Sequence, residues 1–265
     1  MRERYTSMNK MQRRFNMLTF INDHGIVTFE EIKDYFPDVS DMTLRTDLKE
    51  LNEEKKIIRV RGGAKSIHET TKANDLYYQR LTRNHDKKQQ IAKKAITYLV
   101  EQLSERPNLT IYLDPGSTVS EIAKHFPDEW CTIVTNSISS AYALSSLKKP
   151  TVIVTGGTLN RYNCCCDNAK NINMLEKMNF DITFYAVAGY SEKEGFTCVK
   201  EIYDEIREVV KSHSKKIIIP IDSTKIGVVY PITHIRLEEV DMIISDDDLP
   251  EKTRKYFEDH NVTVL

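Results

Sequence analysis

Residues 39–49, Val39-Ser40-Asp41-Met42-Thr43-Leu44-Arg45-Thr46-Asp47-Leu48-Lys49, decide the fold of the first quarter of this 265-residue chain. Ser40 is a good N-cap residue, and Leu44, Leu48 and Leu51 then recur at the spacing of one buried helical stripe. Asp41, Met42, Thr43, Arg45, Thr46 and Lys49 are left on the other faces. Upstream, Thr28-Phe29-Glu30-Glu31 has the spacing of a capping box, with Phe29, Ile32 and Phe36 on one side before Pro37-Asp38 ends the helix. Earlier still, Met11, Phe15, Leu18 and Ile21 recur at helical spacing and Asp23-His24-Gly25 supplies a stop. Downstream, Ile57–Arg61 reads as a short strand and Gly62-Gly63 suits a tight hairpin turn. Three helices followed by a β-hairpin predict a winged helix-turn-helix.

In such a unit the first turns of the third helix enter the major groove of DNA. Ser40, Met42, Thr43, Arg45, Thr46 and Lys49 are therefore the candidate contacts there. Arg45 has the fork to donate bidentately to guanine, Thr43 suits a thymine methyl or a phosphate, and Lys49 suits a phosphate. Arg59 and Arg61 of the hairpin would follow the backbone or the minor groove. The competing reading is a small helical bundle with a solvated charged face; agreement of cap, turn, buried stripe and basic wing favours DNA. The chain has 38 Lys+Arg against 39 Asp+Glu, which excludes a uniformly basic nucleic-acid coat. Split by segment, residues 1–66 carry 13 basic against 11 acidic groups and the remainder 25 against 28, so placement of a few cations must decide the matter. Lys10, Arg13 and Arg14 open the chain, and six more lie between Lys49 and Lys65.

The stretch Val39–Leu48, together with Arg59-Val60-Arg61-Gly62-Gly63-Ala64, resembles the signature of DeoR-type bacterial transcriptional regulators. It departs from that pattern at Thr46, where a second Arg is usual, at Arg61, where His is usual, and in a turn one residue longer at Pro37-Asp38.

Residues 66–90 are expected to connect this unit, residues 1–65, to a second domain over residues 91–265, with a helix over about 87–103 that turns Ile91, Ala95, Ile96 and Leu99 inward. Beyond it, β-rich runs near 109–113, 131–135, 151–155, 182–188, 215–221, 240–245 and 262–265 alternate with helical stretches centred on 118–126, 138–147, 169–178, 202–212 and 249–259. That alternation predicts an α/β fold with a mostly parallel sheet covered on both faces. Ligands of such sheets sit at the carboxyl ends of the strands. Three polar turns fall there: Asp114-Pro115-Gly116-Ser117-Thr118, Thr135-Asn136-Ser137 and Thr155-Gly156-Gly157-Thr158. Small residues and hydroxyls at a helix start suit an anion. Glu205 and Arg207 on a later helix, and Asp222-Ser223-Thr224-Lys225 after the run Ile217–Ile221, add charge, with Arg80 and Lys88 at the entry to the domain. A phosphorylated sugar needs both signs, although surface ion pairing is the ordinary role of any one of these residues.

These turns also resemble the DeoR C-terminal sensor domain, which is similar to phosphosugar isomerases and deaminases and binds phosphorylated sugars. The resemblance implies effector contacts from Asp114, Gly116, Ser117, Thr118, Asn136, Gly157, Asp222 and Lys225, with Arg80 and Lys88 next; Glu205 joins the candidates on its charge alone. The chain departs from the family at Asp167-Asn168, where Gly is common, at Ala186, often Gly, and at Arg207, often Lys. An altered pocket is one consequence.

Five Cys, three of them adjacent at 164–166, do not form a disulfide framework. Three consecutive thiolates are poor ligands for one metal ion, so neither metal nor cofactor is expected, and buried thiols are favoured over a redox sensor. No secretory signal or membrane-length apolar run is evident, which points to the cytoplasm. The expected partners are operator DNA, a phosphorylated sugar and further copies of the chain, since two-fold related sites require at least a dimer. The alternative is a phosphosugar isomerase or deaminase with Asp114, Glu205 or Asp222 as the base; against it stands an N-terminal unit of no use to catalysis. A sensor that serves only for assembly is a third reading.

Overall fold

The computed structural model describes residues 10–60, 62–66, 77–167, 172–199 and 204–265. They form two compact units that divide between Arg83 and Asn84.

The first unit holds helices α1 (Lys10–His24), α2 (Phe29–Tyr35) and α3 (Asp41–Glu53), and a small antiparallel sheet in the order β1-β3-β2. Strand β1 is Ile26–Thr28, β2 is Ile57–Val60 and β3 is Gly63–Ser66; a short helix α4 (Tyr77–Thr82) closes the unit. The capping box is present in full: Glu31 N donates to Thr28 Oγ1 at 3.2 Å and Thr28 N donates to Glu31 Oε2 at 2.7 Å. Ser40 caps α3 by accepting from Thr43 N at 3.2 Å. Leu44, Leu48 and Leu51 are buried against Ile32, Phe36 and Ile57. Each fully buried side chain of this size contributes about 2 kcal/mol of transfer free energy, so this stripe is the largest reason α3 docks. The periodic set on α1 divides, however. Met11 and Phe15 are exposed, Leu18 is half-buried against the core and Ile21 is fully buried, together with Met17 outside that set, because the helix presents only its C-terminal half to the core. Strand β1 has too few residues to show a period. Gly62 has φ +83°, as the hairpin requires, and a Cβ on Gly63 would lie 2.0 Å from the Val27 carbonyl oxygen of the neighbouring strand.

The second unit is built on seven parallel strands: β4 (Thr110–Leu113), β5 (Thr132–Thr135), β6 (Thr151–Val154), β9 (Ile182–Phe184), β12 (Ile217–Pro220), β14 (Met242–Ile244) and β15 (Thr263–Val264). They correspond to the seven β-rich runs of the sequence, in the order β15-β14-β12-β9-β4-β5-β6. Side-chain alternation sorts the two faces. Ile111, Leu113, Ile133 and Ile218 pack with α5 (His85–Glu105), α6 (Ser117–Lys124) and α7 (Ile138–Leu144). Tyr112 and Val134 pack on the opposite face with α8 (Ile172–Leu175) and α9 (Asp204–Ser212). Ile217, Ile219 and Ile243 join them there with α10 (Glu251–Asp259). Two smaller sheets lie outside the sequence-based expectation. One is the antiparallel set β10 (Gly189–Ser191), β11 (Gly195–Cys198) and β13 (Ile232–Ile235); the other is the ribbon of β7 (Thr158–Asn160) with β8 (Cys165–Asp167).

The chain order reverses between β4 and β9. From β4 the strands run outward through β5 and β6; from β9 they run the other way through β12, β14 and β15. The carboxyl ends of β4 and β9 are therefore the topological switch point, outside which ligands of doubly wound sheets bind.

Candidate functional site

On the first unit, α3 turns Met42, Arg45, Thr46 and Lys49 outward, Met42 to 81% exposure. Ser40 is exposed at the cap and Thr43 half-buried, its hydroxyl 2.9 Å from Ser40 Oγ. The Arg45 guanidinium carbon lies 4.0 Å from the centroid of the Phe29 ring, which stiffens an otherwise free side chain. Thr46 Oγ1 donates back to the Met42 carbonyl at 2.8 Å, and Lys49 lies 3.8 Å from Glu53 across one helical turn. Arg59 is exposed on β2, and its backbone N–H donates to Asn52 Oδ1 at 2.8 Å. Arg61 lies outside the described residues.

The cations at the start of the chain have another role. Arg13 Nε donates to the buried Asp47 at 2.6 Å, Lys10 reaches Glu50 at 2.7 Å, and Arg14 pairs with Glu50 at 3.0 Å and with Glu54. These bonds clamp α1 across the acidic side of α3. Hydrogen bonds from Arg14 and Lys56 hold Glu54 at a pKa of about 2. The exposed charges of α3 are accordingly Asp41, which pairs with Lys33, Glu53, which lies beside Lys49, and the cations Arg45 and Lys49.

The second unit gathers the strand-end motifs at the switch point. Asp114, directly after β4, is buried with Arg207 of α9. Arg207 Nη2 donates to Asp114 Oδ2 at 2.7 Å and to the Ala186 carbonyl at 2.9 Å, and Nη1 donates to Cys198 Sγ at 2.9 Å. Ala186 N–H donates to the same Asp114 oxygen at 2.9 Å. Burial pushes the Asp114 carboxyl up from its ordinary value, against the pull of Arg207; burial likewise works against the Arg207 charge, but Asp114 holds that charge firmly. Arg207 was legible in the sequence only as one helix charge among several. Glu205, two residues before it, is exposed instead.

Gly116 is the N-cap of α6, and a Cβ there would lie 2.7 Å from the Ala186 methyl, so the two chain segments meet closely at the switch point. Ser117 and Thr118 begin the helix, whose first N–H groups have no intrahelical acceptor. Thr118 is 3% exposed, and among the described residues its Oγ1 has no hydrogen-bond partner. The Tyr185 hydroxyl, beside Arg207, is in the same position, and burial pushes it far above its ordinary pKa.

Beyond β12, Lys225 Nζ donates to the Val187 carbonyl at 2.9 Å and lies 3.6 Å from Asp222 Oδ2. Adjacent residues 186 and 187 thus hold the Asp114 and Lys225 motifs together. Asn136 is buried and committed within the fold: Oδ1 accepts from the Tyr112 hydroxyl at 2.8 Å, and Nδ2 donates to the Cys166 carbonyl at 3.2 Å. Gly157 is exposed in the turn before β7, with φ 129°. Lys88 is 3% exposed on α5. Arg80 belongs to the first unit, on α4, 6.0 Å from the Tyr77 ring centroid. Cys165 and Cys166 are buried in β8, and Cys164 before them is half-buried with φ 51°. Asn168 lies outside the described residues. No described helix is long and apolar enough to cross a membrane.

Comparison with known proteins matches both units. Residues 13–70 match the DeoR-like helix-turn-helix domain and residues 83–247 match the DeoR C-terminal sensor domain. The HTH-type transcriptional regulator GolR of Listeria innocua is 28% identical over 97% of this chain and 98% of its own. The HTH-type transcriptional repressor GlcR of Bacillus subtilis is 29% identical over 90% and 89%, and the L-fucose operon activator of Haemophilus influenzae 28% over 94% and 97%. Among solved structures, ribose 5-phosphate isomerase A of Methanocaldococcus jannaschii aligns over 54% of this chain and 55% of its own, at 15% identity and a TM-score of 0.38. The full-length relatives are regulators of transcription and not enzymes. With an amino-terminal helix-turn-helix and a doubly wound sensor both matched in place, the chain belongs to the DeoR family of DNA-binding transcriptional regulators.

Proposed function

We propose that this regulator is a cytoplasmic repressor of a carbohydrate-use operon, and that a phosphorylated sugar bound at the switch point of the sensor controls its hold on operator DNA. The observation that carries the sensing reading is the Thr118 hydroxyl, buried at the start of α6 with no partner among the described residues. Leaving a buried hydroxyl unmade costs about 1–3 kcal/mol, and an anion at that helix start would relieve it. Gly116, Ser117 and Thr118 would take the phosphate. Lys225, Asp222 and the backbone held by Asp114 would face the sugar, with Asn136, Gly157, Glu205, Lys88 and Arg80 as outer candidates. The repressor sense agrees with the name of the GlcR relative and the carbohydrate target with the L-fucose operon relative.

On the DNA side, Ser40, Met42, Thr43, Arg45, Thr46 and Lys49 are the proposed groove contacts, with Arg59 and Arg61 on the wing. A homo-oligomer would place two such helices on two-fold related half-sites. The test is a gel-shift of the chain's own promoter region across a panel of phosphorylated and unphosphorylated sugars. Release by a phosphorylated sugar, and not by its unphosphorylated counterpart, is the expected result. Release by neither, or equal release by both, overturns the sensing reading.

A further inference from the structure

Asn84, the first residue of the second unit, is the N-cap of α5, yet its side chain caps nothing. Its backbone is left-handed at φ 51° and ψ 39°, a conformation Asn tolerates at little cost. Its amide reaches instead to a turn about 140 residues away, where Nδ2 donates to Thr224 Oγ1 at 2.9 Å and to Asp222 Oδ1 at 3.4 Å. One helical turn further, Lys87 Nζ donates to Ser223 Oγ at 2.9 Å and to Asp246 Oδ1 at 2.7 Å, and also to Asp248. Asp246 is fully buried and accepts from Ser223 N at 2.6 Å and Ser223 Oγ at 2.8 Å. The first turn of α5 is therefore fastened to the turn 222–225 by three hydrogen bonds from two side chains, and Lys87 adds two more to Asp246 and Asp248, the first of which itself holds Ser223.

The same turn is fastened to the segment after β9 from its other end. Lys225 Nζ bonds the Val187 carbonyl, next to Ala186, whose N–H holds Asp114. A chain of bonded groups thus runs from the start of α6 through Asp114, residues 186–187 and the turn 222–225 to the point where the chain leaves the sensor. Coupling of this kind requires an element that both sites bias.

We propose that Asn84 and Lys87 form a latch on the turn 222–225 through which the sensor controls the DNA-binding unit. A ligand that draws Lys225 away from the Val187 carbonyl moves this turn, frees Asn84 and Lys87, and so loosens the grip on DNA. The inference rests on the sensing reading above for the identity of the trigger, but the latch itself needs no ligand to be tested.

The experiment uses the full chain and a duplex enriched from a random-sequence pool by the wild-type protein, with no sugar present. The double variant Asn84→Ala/Lys87→Met is expected to bind this duplex at least fivefold more weakly, and Lys87→Arg on its own to bind like wild type. Lys94→Met serves as the control. It removes a cation further along the same side of α5, where Lys94 bonds the Ser245 carbonyl at 2.9 Å and Asp247 at 2.9 Å, and it is expected to stay within twofold of wild type. A double variant that loses less than fivefold, or a Lys94→Met variant that loses as much as the double variant, overturns the latch. Melting curves of each variant confirm that the comparison is made on folded protein. A wild-type protein that no phosphorylated sugar releases from DNA would defeat the sensing reading alone, because these variant affinities are measured without it.

Discussion

Arg207 reaches Asp114, 93 residues earlier in the chain, with a 2.7 Å hydrogen bond that ties α9 to the end of β4 at the point where the strand order reverses. Both side chains are almost completely buried, so neither charge is screened by water. The pair and its bonds to residue 186 join the ends of β4 and β9 to α9.

Removing one partner of such a pair leaves an uncompensated buried charge. Arg207→Ala is expected to destabilise the sensor by about 3–5 kcal/mol, measured by urea unfolding. Arg207→Lys keeps the charge but cannot serve Asp114, the Ala186 carbonyl and Cys198 from one planar fork, and its loss is expected to be smaller. Equal stability of Arg207→Ala and wild type would show that the switch point does not depend on the pair.

Arg45→Ala is expected to weaken binding to specific duplex DNA by about 5- to 150-fold, the loss that follows from a bidentate base contact of about 1–3 kcal/mol. Lys49→Ala is expected to weaken binding to all sequences alike and to lower the slope of log affinity against log salt by about 1. Fluorescence anisotropy across a salt series separates the two. Arg45→Ala acting equally on specific and random duplexes would move Arg45 from the base edges to the backbone.

Thr118→Val replaces the orphaned hydroxyl with a methyl of the same shape. Without ligand the variant is expected to be as stable as wild type or more stable, by up to about 1 kcal/mol, since a buried polar group that lacks a partner is removed. Its thermal shift with sugar phosphates is expected to be lost. A variant that is less stable than wild type and still responds to sugar phosphates would show that the hydroxyl serves the fold.

Burial lowers the His234 pKa from 6.5 to about 4, so the folded sensor keeps this imidazole neutral while the unfolded chain protonates it. The associated stability is fully present above pH 6.5, falls as pH drops below that value, and stops falling below about pH 4. At pH 5 the loss is about 2 kcal/mol. Chemical denaturation at pH 7.5 and pH 5, with His234→Gln as the comparison, measures it; equal pH dependence in the two proteins would assign the loss to other groups.

Much of this architecture is legible in local pattern. The Leu44, Leu48 and Leu51 stripe, the Thr28–Glu31 box and the seven apolar runs of the parallel sheet all repeat within a few residues, at periods that helix and strand geometry impose. The ribbon β7–β8 and the sheet β10-β11-β13 are as short as the parallel strands but interleave Gly, Ser, Thr, Asn, Asp and His with few apolar residues, as in Thr158-Leu159-Asn160 and Gly189-Tyr190-Ser191, so no apolar run marks them. The α1 stripe illustrates the limit from the other side. Its spacing marks a helix, but spacing alone does not say which half of the helix meets a core, and Met17 is buried where Met11 is not.

Site residues divide along the same line. Strand-end turns such as Asp114–Thr118 and Asp222–Lys225 announce themselves by residue type and by following an apolar run. Their partners do not. Arg207 on Asp114, Asn84 on Thr224, Lys87 on Asp246, and Lys10, Arg13 and Arg14 on the acids of α3 all join segments 34 to 159 residues apart. The sequence by itself determined which elements form, which faces are apolar and which turns are polar, because these depend on neighbours within one or two helical turns. Only the tertiary structure decided which charges are spent on each other and which are left for DNA or ligand. That outcome depends on strand order and helix docking, which bring distant side chains to within 3 Å and which no local period encodes.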